Sequence, residues 1–353
     1  MALPHVNVDQ LREERYILGE KTLIGLLENC PKNQTIGDNL IRAWSKINSS
    51  KYDKIVCSIS GGSDSDIMLD ICTKCDKDNK IEYVWFDTGL EYQATKDHLR
   101  YLEERYNIKI MSYKAIKSIP LTCKQYGQPF LSKQVSEFMM RLQKHNFKWE
   151  DKSFGELIQE YPKCKSALEW WCGTKGKSSH YNITQNKWLK EFILENPPDF
   201  KIANKCCIYA KKKVNQDLLL RFGYDLNIVG IRKAEGGTRT TAYKSCFDEN
   251  SNSNTYDNYR PLFWYKNSEK KDYDQYYGIV HSKCYTEYGL RRTGCCCCPF
   301  GRDFEYELEI TKKYEPKLYK AVNNIFSDSF EYTRKYKEFC QIMNEKEKQN
   351  KAQ

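Results

Sequence analysis

The sequence predicts an α/β fold with a Rossmann-like parallel sheet and helical crossovers. Three observations carry that prediction. Short apolar runs rich in β-branched residues recur along the first half of the chain, each is followed by a longer stretch of helical character, and each ends in a cluster of polar residues. A strand–helix–strand–helix–strand order is how parallel strands are joined.

The elements follow in order. Residues 1–50 read as a polar, helical N-terminal extension, with apolar positions at roughly helical spacing in "LREERYILGEKTLIGLLENC". From Lys54, "KIVCSIS" is a buried-strand candidate, "GGSDS" a turn and "DIMLDICTKC" an amphipathic helix. "IEYVWFDTG" is a second strand with a polar exit, "YQATKDHLRYLEERY" a second helix and "IKIMSY" a third strand. Residues 114–202 are more helical, with many lysines and tryptophans, and "LNIVGIRKAEGG" gives a later strand. The Asn-rich "FDENSNSNTYDNYRP" reads as a surface loop, and the chain from Glu305 is charged and helix-forming. The organisation expected is a helical extension over 1–50 and a nucleotide-binding α/β domain over 51–240. A cysteine-bearing helical region over 241–353 is expected to close over the site.

Composition narrows the function. A chain of 353 residues can bury a substantial core, and its formal charge of +10 suits an anionic partner, although a soluble basic surface explains the charge equally well. No apolar run approaches a membrane span, and the start turns charged too soon for a signal peptide, so a cytoplasmic protein with no membrane partner is expected. Sixteen cysteines are many for a reducing compartment. Their grouping in "KCC" and "GCCCCPFG" favours metal or sulfur chemistry over a disulfide framework.

Ligands of open parallel sheets collect beyond the carboxyl ends of the strands. Three such ends are polar: Ser60–Ser65, Asp87–Thr88 and Arg232–Arg239. In "SISGGSDSD", Gly61 and Gly62 allow backbone N–H groups close to an anion, while Ser60, Ser63 and Ser65 add hydroxyl donors. The loop lacks the spacing and lysine of a Walker P-loop. Asp64 among phosphates makes sense as a holder of Mg²⁺ or a positioner of the nucleotide.

"SGGSDS" resembles the pyrophosphate loop of the PP-loop ATP pyrophosphatases, or adenine nucleotide alpha-hydrolases. "WFDTGLEY", "GIRKAEGGTR", "KCCIYAKKK", "RRTGCCCCPFG" and "YGQPFLSKQVSEF" resemble elements of the phosphoadenylyl-sulfate (PAPS) reductase branch of that superfamily, including bacterial and phage members. The resemblance covers roughly residues 50–325. It implies a loop that grips the β,γ-pyrophosphate of ATP while an acceptor oxygen attacks the α-phosphate. The adenylated acceptor is then attacked by sulfur or nitrogen, and AMP leaves. The implied nucleotide-binding residues are Ser58, Ser60, Gly61, Gly62, Ser63, Asp64, Ser65, Asp87, Thr88 and Gly89. Asp64, Lys211, Arg232 and Arg239 are the catalytic candidates, the cations stabilising developing negative charge. ATP and Mg²⁺ are the implied cofactors. The acceptor is expected to be anionic, a nucleic acid or a small molecule, and the sulfur donor an enzyme such as a cysteine desulfurase.

Paired cysteines followed by C-x-x-C resemble the ligands of a [4Fe-4S] cluster in adenylyl-sulfate reductases, and four thiolates equally suit structural zinc. Cys295 and Cys298 rank first as ligands and Cys206 and Cys207 second. Cys246 and Cys284 form the reserve, Cys284 by its resemblance to DNA phosphorothioation sulfur-transfer proteins. Basic neighbours are expected to lower the cysteine pKa values toward thiolate. Cys72 and Cys75 lie at helical spacing on an apolar stripe and read as core, while Cys164 and Cys172, which flank "WW", are a minor candidate for metal. His180 and His281 show no ligand spacing.

One departure matters. Sulfonucleotide reductases end in an E-C-G-hydrophobic-H tail, and Cys340 in "YKEFCQIMNEKEKQNKAQ" has no such context. ATP-dependent adenylation coupled to sulfur transfer is therefore expected ahead of a sulfonucleotide reductase with an atypical or in-trans thiol. A nucleotide- or nucleic-acid-binding regulator without catalysis comes third.

Overall fold

The computed structural model describes residues 22–176, 179, 181–236, 242–250 and 256–352. They form two compact units that do not follow chain order. Unit 1 comprises residues 1–87, 91–114 and 214–294, and unit 2 comprises 88–90, 115–213 and 295–353.

Unit 1 holds a six-stranded sheet: β1 (Ile55–Ile59), β2 (Ile81–Asp87), β3 (Ile110–Lys114), β4 (Leu226–Val229), β5 (Phe247–Asp248) and β6 (Asp257–Tyr259), in the order β3-β2-β1-β4-β6-β5. All neighbours are parallel except β5 with β6. The strand at the centre reads as a continuous apolar run because both its faces are covered. Ile55, Cys57 and Ile59 enter one core and Val56 the opposite one, with Val84, Leu218 and Leu219.

The first four strands lie where the apolar runs predicted them. The stretch read as a surface loop instead carries β5 and the whole of β6 toward its two ends, and polar partners help hold them. Tyr52 donates to Asp257 at 2.6 Å and Asn227 donates to Asn258 at 2.9 Å, bonds that no hydrophobic pattern announces. The helices Leu23–Glu28 and Gln34–Ile47, expected as part of an extension, bury Leu26, Ile36, Leu40, Ala43 and Ile47 in the main core of the sheet.

Unit 2 is helical. Its core gathers Phe130, Phe138, Trp170, Trp171, Phe192, Tyr332 and Tyr336. A short parallel bridge ties two of its segments: Gln128 N–H donates to Lys201 O at 2.8 Å, and Ala203 N–H donates to Gln128 O at 2.9 Å. No described helix is long and apolar enough to cross a membrane.

Candidate active site

The sheet order places a topological switch at β1, whose chain neighbours run one way through β2 and β3 and whose other partner is β4. The loop Ser60–Gly62 leaves β1 there and opens the helix Ser63–Cys75. Gly61 takes a left-handed φ of +68°, and a Cβ on it would stand 2.7 Å from the Thr95 methyl. Ser65 Oγ accepts from Ser60 N at 2.9 Å, and Ser60 Oγ accepts from Gly62 N at 3.3 Å, which fixes the turn. Gly62 is the N-cap and offers no side chain, so the helix's positive end is not satisfied by a cap residue. The Tyr285 hydroxyl accepts from Ser63 N and from Thr293 N, each at 3.2 Å, as an anion's oxygen would. The Ser58 hydroxyl is buried without a described hydrogen-bond partner.

Arg232 leaves β4 beside this loop, which is why residues 168 apart in sequence meet. Its Nε donates to Asp64 Oδ2 at 2.7 Å, and its Nη1 donates to Asn267 Oδ1 at 3.1 Å. Lys270, from the helix Asn267–Tyr277, donates to Asp64 Oδ1 at 2.7 Å and to the Ser63 hydroxyl. Burial alone would raise the Asp64 pKa, but Lys270 and Arg232 outweigh it and hold the carboxyl below its usual range. Asp64 is thus ionised, with both oxygens committed to side-chain cations. Lys270, Tyr285 and Thr293 were not legible as site residues in the sequence.

Behind the loop, the fully buried Asp66 accepts from two histidines, at 2.9 Å from His98 Nε2 and 2.8 Å from His281 Nδ1. His281 Nε2 lies 3.1 Å from Asp274. Burial opposes protonation of His281, but its bonds to Asp274 and Asp66 prevail and lift its pKa to about 9. Its imidazolium therefore stabilises the fold fully below the ordinary value of 6.5, and that contribution is lost as pH rises through about 9. The shift corresponds to at most about 3 kcal/mol. Denaturant titrations at both ends of this window should show His281→Gln closing the gap to the native chain as pH rises; a constant gap would remove the imidazolium from the account.

Unit 2 holds the cysteine groups. Cys206 and Cys207 form the short helix Lys205–Cys207, continued by a π-helical turn over Ile208–Lys212. The Cys206 thiol lies against those of Cys123 and Cys207 and within electrostatic reach of Cys298. Cys123 had no sequence signal. In "CCCC" the inner and outer residues part: Cys296 and Cys297 are fully buried and reach Thr311 Oγ1 at 3.4 and 3.3 Å, whereas Cys295 Sγ is 3.4 Å from Thr88 Oγ1.

The expectation of lowered cysteine pKa values is reversed at the pair. Cys206 is raised by its bond to Cys123 and by burial, and Cys207 by its bond to Cys206 and by burial; Lys133 and Lys211 only partly offset the latter. Neighbouring thiols and burial outweigh the lysine charges.

The remaining candidates fall as follows. Asp87 ends β2 at the carboxyl edge of the sheet, and Thr88 and Gly89 belong to unit 2, with Gly89 at φ +83°. Lys211 belongs to unit 2, where its charge bears on Cys207. Arg239 and His180 lie outside the described residues. Cys246 lines a cavity of about 420 Å³ with Arg42, Tyr259 and Trp264, and buried Cys284 lies 3.5 Å from Thr95 Oγ1, both within unit 1. Cys72 and Cys75 are core, as their spacing indicated, and Cys164 and Cys172 pack in or against the aromatic core.

Among the described residues, no three His, Cys, Asp or Glu side chains form a ready metal cage. At the loop the carboxylates of Asp64 and Asp66 are already engaged, so these residues do not make a protein-held Mg²⁺ site. In unit 2 the thiol-rich donor set fits an iron–sulfur cluster or zinc by chemical type.

Residues 54–146 match the phosphoadenosine phosphosulfate reductase domain. An uncharacterized protein of Methanocaldococcus jannaschii is 26% identical over 310 residues, 86% of this chain; the chain spans about half, 48%, of that relative's length. Similar solved structures include the phosphoadenylyl-sulfate reductase of Candida auris, at 12% identity and TM-score 0.40, covering 84% of this chain and 97% of that one. The U34-tRNA thiolase NcsA of Methanococcus maripaludis, solved with its [4Fe-4S] cluster, stands at 12% and 0.38, covering 86% and 80%. The matched segment contains the loop Ser60–Ser65 together with β1, β2 and β3, so the family likeness lies in the part of the chain that carries the nucleotide loop.

Proposed function

We propose that this protein is an ATP pyrophosphatase that adenylates an anionic acceptor for sulfur transfer. The observation that carries the reading is the loop Ser60–Ser65 at the switch point, with Arg232 and Lys270 gathered on Asp64 at its mouth. An acceptor oxygen attacks the α-phosphorus, the bond to pyrophosphate breaks, and negative charge grows on the leaving group. The N–H groups at Gly62 and Ser63 and the two cations answer that charge. Mg²⁺, where needed, arrives on the nucleotide's own oxygens. The adenylate is then displaced by a sulfur nucleophile from a donor such as a cysteine desulfurase, with AMP leaving.

In unit 2, Cys206, Cys207, Cys295 and Cys298 are the residues proposed to hold a [4Fe-4S] cluster, with Cys123 as an added thiol. Such a cluster would bind and polarise sulfur.

ATP–pyrophosphate exchange with anaerobically purified protein tests the reading, alongside iron and sulfide content. Acceptor-dependent pyrophosphate and AMP release is the expected result. Sulfite formed from adenylyl sulfate without pyrophosphate release would replace it by the reductase reading. Cys206→Ser with Cys298→Ser should lose about four irons per chain if these thiols hold the cluster; zinc in place of iron would make the site structural.

A further inference from the structure

We infer that a lysine-and-tyrosine surface on unit 2 binds an unpaired nucleic-acid strand, which would make the acceptor a nucleic acid. This rests on the adenylation reading above. Residues 115–136 and 200–213 contain no aspartate or glutamate and carry three and five lysines respectively. The fold brings these two acid-free stretches together: Ile116 N–H donates to Tyr209 O at 3.2 Å, and the Gln128 bridge joins them again at Lys201 and Ala203. Positive charge separated along the sequence is therefore summed on one surface.

Its centre is aromatic. Tyr126 and Tyr209 stack with ring centroids 5.5 Å apart and planes within 13°. Lys117 lies 5.0 and 5.3 Å from the two centroids, and Lys213 lies 4.7 Å from that of Tyr209. Lys117, Lys212 and Lys213 have no ion-pair partner among the described residues. Some lysines elsewhere in the same unit are paired, as Lys152 is with Glu150 and Glu160, and Lys190 with Asp151, and these serve as the contrast. Acids reach the two stretches at Glu137, which accepts from Asn204 and Arg141, and at Asp328, which accepts from Gln128, but none pairs with Lys117, Lys212 or Lys213.

Lysines without acids recognise phosphates, and flat rings among them recognise bases whose faces are open. A duplex hides those faces. Tyr209 follows Cys207 on the same continuous helical stretch, so the surface adjoins the thiol pair.

The test is fluorescence anisotropy on the full chain without ATP. The probes are labelled RNA and DNA strands of about 16 nucleotides and duplexes of the same length. Both single strands are expected to bind more tightly than the duplexes, and the tighter strand identifies the acceptor's sugar. Lys117→Gln with Lys213→Gln should reduce the slope of log affinity against log salt by about 1.4. Tyr209→Ala should weaken binding roughly fivefold or more, and Tyr209→Phe should not. Lys152→Gln with Lys190→Gln is the control and should bind as the native chain does. No single-strand binding at low salt, preference for duplex, or equal weakening in the control would overturn the inference. Strand binding that persists without pyrophosphate release would instead refute only the adenylation reading.

Discussion

Replacing Asp64 by asparagine is expected to lower pyrophosphate release by about 10²- to 10³-fold, the scale seen when a charge-organising group is removed from an active site. The carboxylate draws Arg232 and Lys270 onto one point, and each donates to a different oxygen at 2.7 Å. Asparagine keeps the volume but removes the charge and replaces one acceptor by a donor. The two cations then repel, and one loses its bond. The consequence should fall on turnover more than on ATP affinity, because the unpaired cations still attract a polyphosphate. An unaltered KM with a collapsed kcat is the expected signature. Stability should fall less, by about 2 kcal/mol, since the site is partly open to water and the carboxylate–cation attraction is screened. Lys270→Gln should share the kinetic signature, and Lys271→Gln should not. Pyrophosphate release unchanged in Asp64→Asn would remove Asp64 from the mechanism.

What was legible in the sequence was local. β1 through β4 announced themselves because buried parallel strands need apolar runs, and the loop did so because a Gly–Ser turn at a helix start lets backbone N–H groups approach an anion closely. Arg232 was found by the same logic, as a polar residue at a strand exit. Lys270 was not, because "NSEKKDYDQYY" is an ordinary charged helix in which Lys270 and Lys271 look alike until helix phase and packing aim one of them at Asp64. Cys123 was missed for a related reason. A single cysteine in "PLTCKQYG" has no partner in sequence, and it reaches Cys206 through long-range ties, the bridge between Gln128 and residues 201–203 and the bond from Ile116 N–H to Tyr209 O. The pKa expectation at the pair inverted because lysines adjacent in sequence act on the thiols less strongly than neighbouring thiols and burial.

That bridge makes Gly127→Ala the substitution expected to damage unit 2 most. Gly127 ends the helix Ile119–Tyr126 at φ 117° and ψ 165°, a conformation that L side chains rarely adopt. A Cβ there would stand 2.2 Å from Lys201 O and 2.8 Å from Ile202 N. Both are backbone atoms, so no rotamer change relieves the contact; the bridge itself must open. Backbone strain contributes about 1–3 kcal/mol and overpacking a similar amount. The loss of two buried backbone hydrogen bonds adds to these. Together they approach the marginal stability of a whole domain. Hydrogen exchange should show protection lost across residues 115–213, and thiol labelling should find Cys123 and Cys206 newly reactive. Gly155→Ala is the contrasting case: it lies inside the helix Phe154–Glu160, and an added methyl meets only Ser153 Oγ at 3.9 Å. That change should be neutral or stabilising by up to about 1 kcal/mol. If Gly127→Ala melted with the native chain, the bridge would not be what holds Cys123 against Cys206. The thiol group would then have to be assembled by the helices alone.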